Sequence, residues 1–166
     1  MLRQVDLPEV SGAMYLSRMP GRTGPFDQES REIVDAKVDY VLSLAPMHQI
    51  EEKAPDYAQA VRDSTLDWAR REFPIEDYQI PREDQWSEFA GLIRQVAADL
   101  ESGRRLAIHC SLGKGRTGMV AVSVLLALGL DQKDALSRVK DAEGSPDTRE
   151  QAEFIQHVAK TIRVTE

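Results

Sequence analysis

Arg105-Leu106-Ala107-Ile108-His109-Cys110-Ser111-Leu112-Gly113-Lys114-Gly115-Arg116-Thr117-Gly118 is the stretch whose reading decides the fold. Arg105 to His109 has the short apolar run of a central strand, Gly113 and Gly115 mark a turn, and the apolar segment from Thr117 to Leu128 follows as a helix. Glycines permit backbone conformations in which successive N–H groups point inward. A helix start adds unsatisfied N–H groups and the positive end of the helix dipole. Strand, turn and helix start together make a cradle for an anion of phosphate size. Arg116 closes it, because a planar guanidinium donates two parallel hydrogen bonds to phosphoryl oxygens where a lysine offers a point charge. The same field favours thiolate over thiol at Cys110, which makes this residue the candidate nucleophile. Thr117 is placed to donate its hydroxyl to the sulfur, and His109 to orient the loop by hydrogen bonding. Ser111, Leu112, Gly113, Lys114, Gly115 and Arg116 are the expected phosphate contacts. A lone cysteine is ordinarily a small buried hydrophobe, yet core packing gives no reason for cysteine, two glycines, arginine and threonine to follow in that order between a strand and a helix.

Working outward, the chain alternates strand and helix signals. Ala13 to Ser17 and Tyr40 to Leu44 are short apolar runs stopped by Pro20-Gly21 and Pro46, and both read as buried strands. Asp27 to Val38 reads as a helix with Asp27 as its N-cap, and Pro55 to Ser64 as a weaker one. Leu66 to Phe73 reads as a further strand. From Asp84 to Ser102, Trp86, Phe89, Leu92, Ile93, Val96, Ala97 and Leu100 recur at helical spacing before Gly103. Asp131 to Ala142 and Thr148 to Ile162 are the closing helices. Strands separated by helices predict an α/β fold, a central and mainly parallel sheet of four to five strands with helices on both faces.

The 166 residues, 42% of them apolar, suffice for one substantial core, so a single domain over residues 1–166 is expected, and as a monomer. A net charge of -7 disfavours nonspecific binding to nucleic acid or to anionic membranes. Positive charge is nevertheless concentrated at the loop, since Gly103 to Leu130 holds Arg104, Arg105, Lys114 and Arg116 and no carboxylate. The single cysteine rules out an internal disulfide and a Cys-x-x-Cys pair, which fits a reducing compartment. Cys110 has no zinc-ligand spacing with His48, His109 or His157, and neither metal nor cofactor is expected. Met1 to Asp6 lacks the apolar region of a signal peptide, and Met119 to Leu128 is about half the roughly 20 residues a membrane span needs. A cytoplasmic protein with no stable membrane association is the expectation.

His109-Cys110 followed, after five residues, by Arg116-Thr117 resembles the signature of the protein tyrosine and dual-specificity phosphatase superfamily. Similarity to its kinase-associated phosphatase branch extends to Leu16 through Gly21, Val41 through Leu44, Pro74 through Asp77 and the closing helices. The resemblance implies hydrolysis of a phosphate monoester on a phosphoprotein through a phosphocysteine intermediate. It also implies an aspartate on an upstream loop that protonates the leaving oxygen. Pro74-Ile75-Glu76-Asp77-Tyr78-Gln79-Ile80-Pro81 looks like that loop, with Asp77 as the acid and Glu76 and Asp84 as competitors. Some related enzymes position the hydrolytic water from a Gln-Thr-x-x-Gln segment. Asp147-Thr148-Arg149-Glu150-Gln151 is similar but lacks the first glutamine, so Gln151 either assists or faces solvent, and Asp147 reads equally as a helix N-cap. A short chain favours a shallow site that accepts phosphotyrosine and also phosphoserine or phosphothreonine. Lys114 is similar to a lysine of phosphoinositide phosphatases, but Ser111 stands where those loops carry a second one, which leaves a phosphoinositide or other polyphosphate as the alternative substrate. A binding module without catalysis predicts damage to the nucleophile, arginine or acid, and all three are intact.

Overall fold

The computed structural model describes residues 1–162. Strands β1 (Arg3–Gln4), β2 (Ala13–Ser17), β3 (Tyr40–Ser43), β4 (Arg70–Glu72) and β5 (Arg105–His109) form one sheet in the order β1-β2-β5-β3-β4. β5 lies between β2 and β3 and is parallel to both, β4 is parallel to β3, and β1 adds an antiparallel edge to β2. The sheet is therefore mixed and mainly parallel, as the strand and helix alternation predicts.

Side chains of a strand alternate between faces, and β3 and β5 use both. Val41 and Ala107 pack with Ile33, Ile50, Tyr57 and Trp68, under helices α1 (Phe26–Asp35), α2 (Met47–Lys53) and α3 (Pro55–Arg62). Leu42, Leu106 and Ile108 face the larger core, closed by α4 (Trp86–Glu101), α5 (Gly115–Ala127), α6 (Gln132–Asp141) and α7 (Arg149–Thr161). Every residue of α5 from Gly115 to Leu126 is buried, and a helix that is apolar all round belongs inside. Gly118 is required there, because a Cβ at this position would lie 2.5 Å from the Ser145 backbone nitrogen.

Several boundaries differ from the sequence reading. α1 begins at Phe26 after Pro25, so Asp27 is not the N-cap; it lies in the first turn, where its charge suits the helix dipole. Pro46 follows β3 but also stands at the N-cap of α2, a helix for which the sequence reading made no assignment, since an extended proline can precede a helix start as well as follow a strand. The expected strand over Leu66 to Phe73 shrinks to Arg70–Glu72, an edge strand with only β3 beside it. Glu83–Gln85 forms a single 3₁₀ turn ahead of α4. α5 starts at Gly115, two residues before the expected Thr117, so the glycine turn runs directly into the helix. β1, two residues long, has no periodicity to read. The loop from Cys110 to Lys114 thus leaves the carboxyl end of the central strand, where open α/β sheets place their ligands.

Candidate active site

The loop's carbonyls are turned outward one by one. The Cys110 carbonyl lies 2.9 Å from His109 Nδ1, the Ser111 carbonyl accepts from Met19 N at 2.9 Å, and the Gly113 carbonyl accepts from Arg3 Nη2 at 2.6 Å. The Lys114 carbonyl accepts from both Gly118 N (2.7 Å) and Ser145 N (3.1 Å). Because peptides are planar and trans, each outward carbonyl sends the next amide the other way, so Ser111, Leu112, Lys114 and Gly115 present their N–H groups to the interior. Gly113 makes this turn possible: its φ is +75, and a Cβ would run into the Ser17 carbonyl.

His109 is fully buried and neutral. Desolvation pushes its pKa down to about 4; the Cys110 carbonyl opposes this, and the Arg70 and Arg116 charges reinforce it. With Nδ1–H donated to the Cys110 carbonyl, Nε2 accepts from the Tyr57 hydroxyl at 2.8 Å, and that hydroxyl in turn accepts from Arg70 Nε at 3.1 Å. The ring therefore orients the start of the loop. Thr117 follows within α5. Its hydroxyl is buried with no hydrogen-bond partner among the described residues, so the bond to the Cys110 sulfur is not formed. Thr117 sits within the first turn of α5, at the helix start where the sequence reading placed it.

Arg116 is 2% exposed, and its Nη1 donates to Gln49 Oε1 (2.9 Å) and to the Ile75 carbonyl (2.8 Å). Its Nη2 lies 3.2 Å from Asp77 Oδ1, an ion pair whose geometry is not that of a hydrogen bond, which leaves buried N–H donors free. Buried polar atoms without partners are uncommon in folded proteins, and two of the four found among the described residues, Arg116 Nη2 and Thr117 Oγ1, belong to this one segment. Arg116 lines a cleft, and an oxyanion bound there would supply the acceptor that its Nη2 lacks.

The cleft, of about 290 Å³, brings together Cys110, Ser111, Leu112, Lys114, Gly115, Arg116 and Asp77, while Thr117 is buried behind the loop and does not line it. Gly113 lies behind it, against Ser17. Glu76 pairs with His48 and Asp84 with Arg82, and neither lines the cleft. Gln151 is buried rather than solvent-facing. Its Oε1 accepts from Asp147 N (2.8 Å), and its Nε2 donates to the Gln79 carbonyl (3.0 Å), tying the loop that carries Asp77 to α7. Thr148, not Asp147, is the N-cap of α7, its hydroxyl accepting from Gln151 N. The sequence reading did not single out Gln49, Lys53 or Tyr78. Gln49 bridges the site, since its Nε2 also reaches Asp77 Oδ2 at 3.4 Å. Arg22, from the Pro/Gly-rich loop after β2, holds Ser111 Oγ through Nε at 2.9 Å. No signature marks a lone glutamine on a helix as short as α2, and only the fold carries it to Arg116.

Comparison with known proteins agrees with this geometry. The family described as Tc-R-P, polymorphic toxin system, DSP-PTPase phosphatase, matches residues 17–130. Among solved structures, kinase associated phosphatase with its catalytic-site cysteine replaced by serine is 16% identical, covers 98% of this chain and 96% of its own, and superposes with a TM-score of 0.83. Tk-PTP in its active form is 22% identical, with 96% and 97% covered and a TM-score of 0.70. PTPMT1 in complex with PI(5)P is 13% identical, with 92% and 93% covered and a TM-score of 0.67. At such identities the structures speak for the fold, while the family match spans more than half of the chain and contains both β5 and the loop. The chain therefore belongs to the DSP-PTPase phosphatase family and is a cysteine-dependent phosphatase.

Proposed function

We propose that the protein hydrolyses phosphotyrosine in phosphoproteins, and more slowly phosphoserine and phosphothreonine, through a phosphocysteine on Cys110. The observation that carries this reading is the convergence of Cys110, Arg116 and Asp77 on one cleft. In the first step the inward amides and Arg116 hold the phosphoryl oxygens, the Cys110 sulfur attacks phosphorus, and the ester oxygen leaves with a proton from Asp77. In the second, the Asp77 carboxylate takes a proton from water, the resulting hydroxide attacks the phosphocysteine, and thiolate and phosphate separate. The Asp77–Arg116 ion pair fits this cycle. An incoming phosphate replaces Asp77 as the counter-ion of Arg116 and releases the carboxyl for proton transfer. The free Thr117 hydroxyl is available to the departing thiolate once the site is occupied.

Phosphotyrosine is favoured by the rim. Tyr78 (59% exposed) and Leu112 (50% exposed) are two of the three large apolar side chains exposed among the described residues, and both border the cleft, where they would flank an aromatic ring. One observation supports a second reading. Arg22 and Lys53 join Lys114 around the same cleft, a set of cations suited to further phosphates on a polyphosphate substrate. A comparison of kcat/KM for a phosphotyrosine peptide, the matching phosphothreonine peptide and a soluble phosphoinositide headgroup separates the two. The phosphotyrosine peptide is expected to lead; the headgroup leading would transfer the assignment to polyphosphates.

A further inference from the structure

We infer that Arg3, on the edge strand β1, is a positioning residue for the anion loop, an inference that rests on reading that loop as a phosphate cradle. Arg3 and Gly113 are 110 residues apart in the chain, yet Arg3 Nη2 donates to the Gly113 carbonyl at 2.6 Å. Arg3 Nε donates to the Ala142 carbonyl at 2.8 Å and lies 3.3 Å from Glu143 Oε2. One guanidinium thus joins β1, the crest of the loop and the turn after α6. That turn is the one that presents Ser145 N to the Lys114 carbonyl, so two successive loop carbonyls are drawn outward from the same side.

The Gly113–Lys114 peptide is the one most in need of such a hold. Glycine turns over at little steric cost, and if this peptide rotated, its carbonyl would enter the cradle while the Lys114 N–H left it. A donor facing the anion would become an acceptor facing the anion. The Ser111 and Lys114 carbonyls are fixed by main-chain amides, whereas the Gly113 carbonyl is held by a side chain. Burial disfavours the charge on Arg3, while Glu143 and the Cys110 sulfur favour it. Arginine retains its charge in any case.

The test uses full-length Arg3→Met and Arg3→Lys, with orthophosphate affinity from calorimetry and separate kcat and KM values for p-nitrophenyl phosphate, after thermal unfolding has shown each variant folded. Arg3→Met is expected to weaken orthophosphate binding about tenfold, the loss of one hydrogen bond to a charged donor, and to raise KM for p-nitrophenyl phosphate more than it lowers kcat. Arg3→Lys should regain only part of the affinity, since it keeps the charge but lacks the fixed fork of donors that a guanidinium sets on the Gly113 and Ala142 carbonyls. Affinity within twofold of wild type in a folded variant would overturn the inference. Should Arg3→Met fail to fold, Arg3→Lys decides by the same criterion. A wild-type chain that binds no orthophosphate would instead count against the cradle itself.

Discussion

At the scale of single residues, the site is defined by what each polar group lacks or is denied. Arg116 spends Nη1 on Gln49 and Ile75 and keeps Nη2 for a ligand, while Asp77 stands in as its counter-ion. His109 is denied its proton by burial, and this has a measurable consequence for stability. Its folded pKa of about 4 lies below the roughly 6.5 of a free histidine. Between those values the unfolded chain takes up a proton that the folded chain refuses. The neutral buried ring therefore contributes fully above about pH 6.5, and its contribution is lost as pH falls toward 4, by an amount on the order of 3 kcal/mol. Denaturant midpoints at about pH 7 and about pH 4.5 should fall further apart in the wild type than in His109→Gln. The same fall in both proteins would assign the acid sensitivity to other groups.

At the scale of elements, the loop carrying Asp77 is set between two anchors. Phe73 N and Ile75 N donate to the Ser43 and Leu44 carbonyls, which prolongs the β3–β4 pairing, and Gln151 holds Gln79 at the other end. Tyr78, at a φ of +63, makes the turn between them. Asp77→Ala should therefore remove the proton donor without dislodging the loop. A kcat lower by about 10²–10⁴ is expected with a phosphotyrosine peptide, and a much smaller loss with p-nitrophenyl phosphate, whose phenol leaves without protonation. Equal losses on the two substrates would exclude Asp77 as the acid. Much of this architecture was legible in the sequence. β2, β3, β5 and the helices from α4 onward carry either continuous apolar runs or apolar spacing of three and four residues, and cysteine, glycine and arginine are types whose chemistry announces a phosphate loop. What escaped is what periodicity does not encode. β1 pairs through two residues of backbone, α2 hides between two prolines, and Gln49 and Gln151 are ordinary polar residues that gain a role only from the partners the fold brings to them. Thr117 was assigned to a helix start, as found, but periodicity does not encode the bonding of its hydroxyl, which has no partner among the described residues.

At the scale of the whole molecule, a chain of net charge -7 concentrates Arg22, Lys53, Lys114 and Arg116 around one opening. Field focused at such an opening draws an anionic substrate to the reactive sulfur despite the repulsion of the surface at large. Two apolar layers hold β5 from both sides, and α5 behind the loop is buried along almost its whole length, so the cradle is a preformed part of the fold. With a preformed cradle, replacing the sulfur should separate binding from chemistry, and Cys110 is the only cysteine available to perform it. The most direct measurement is the turnover of p-nitrophenyl phosphate by Cys110→Ser beside its orthophosphate affinity. The account predicts that turnover is abolished while affinity stays close to wild type, and a variant that still turned over the ester at the wild-type rate would contradict it.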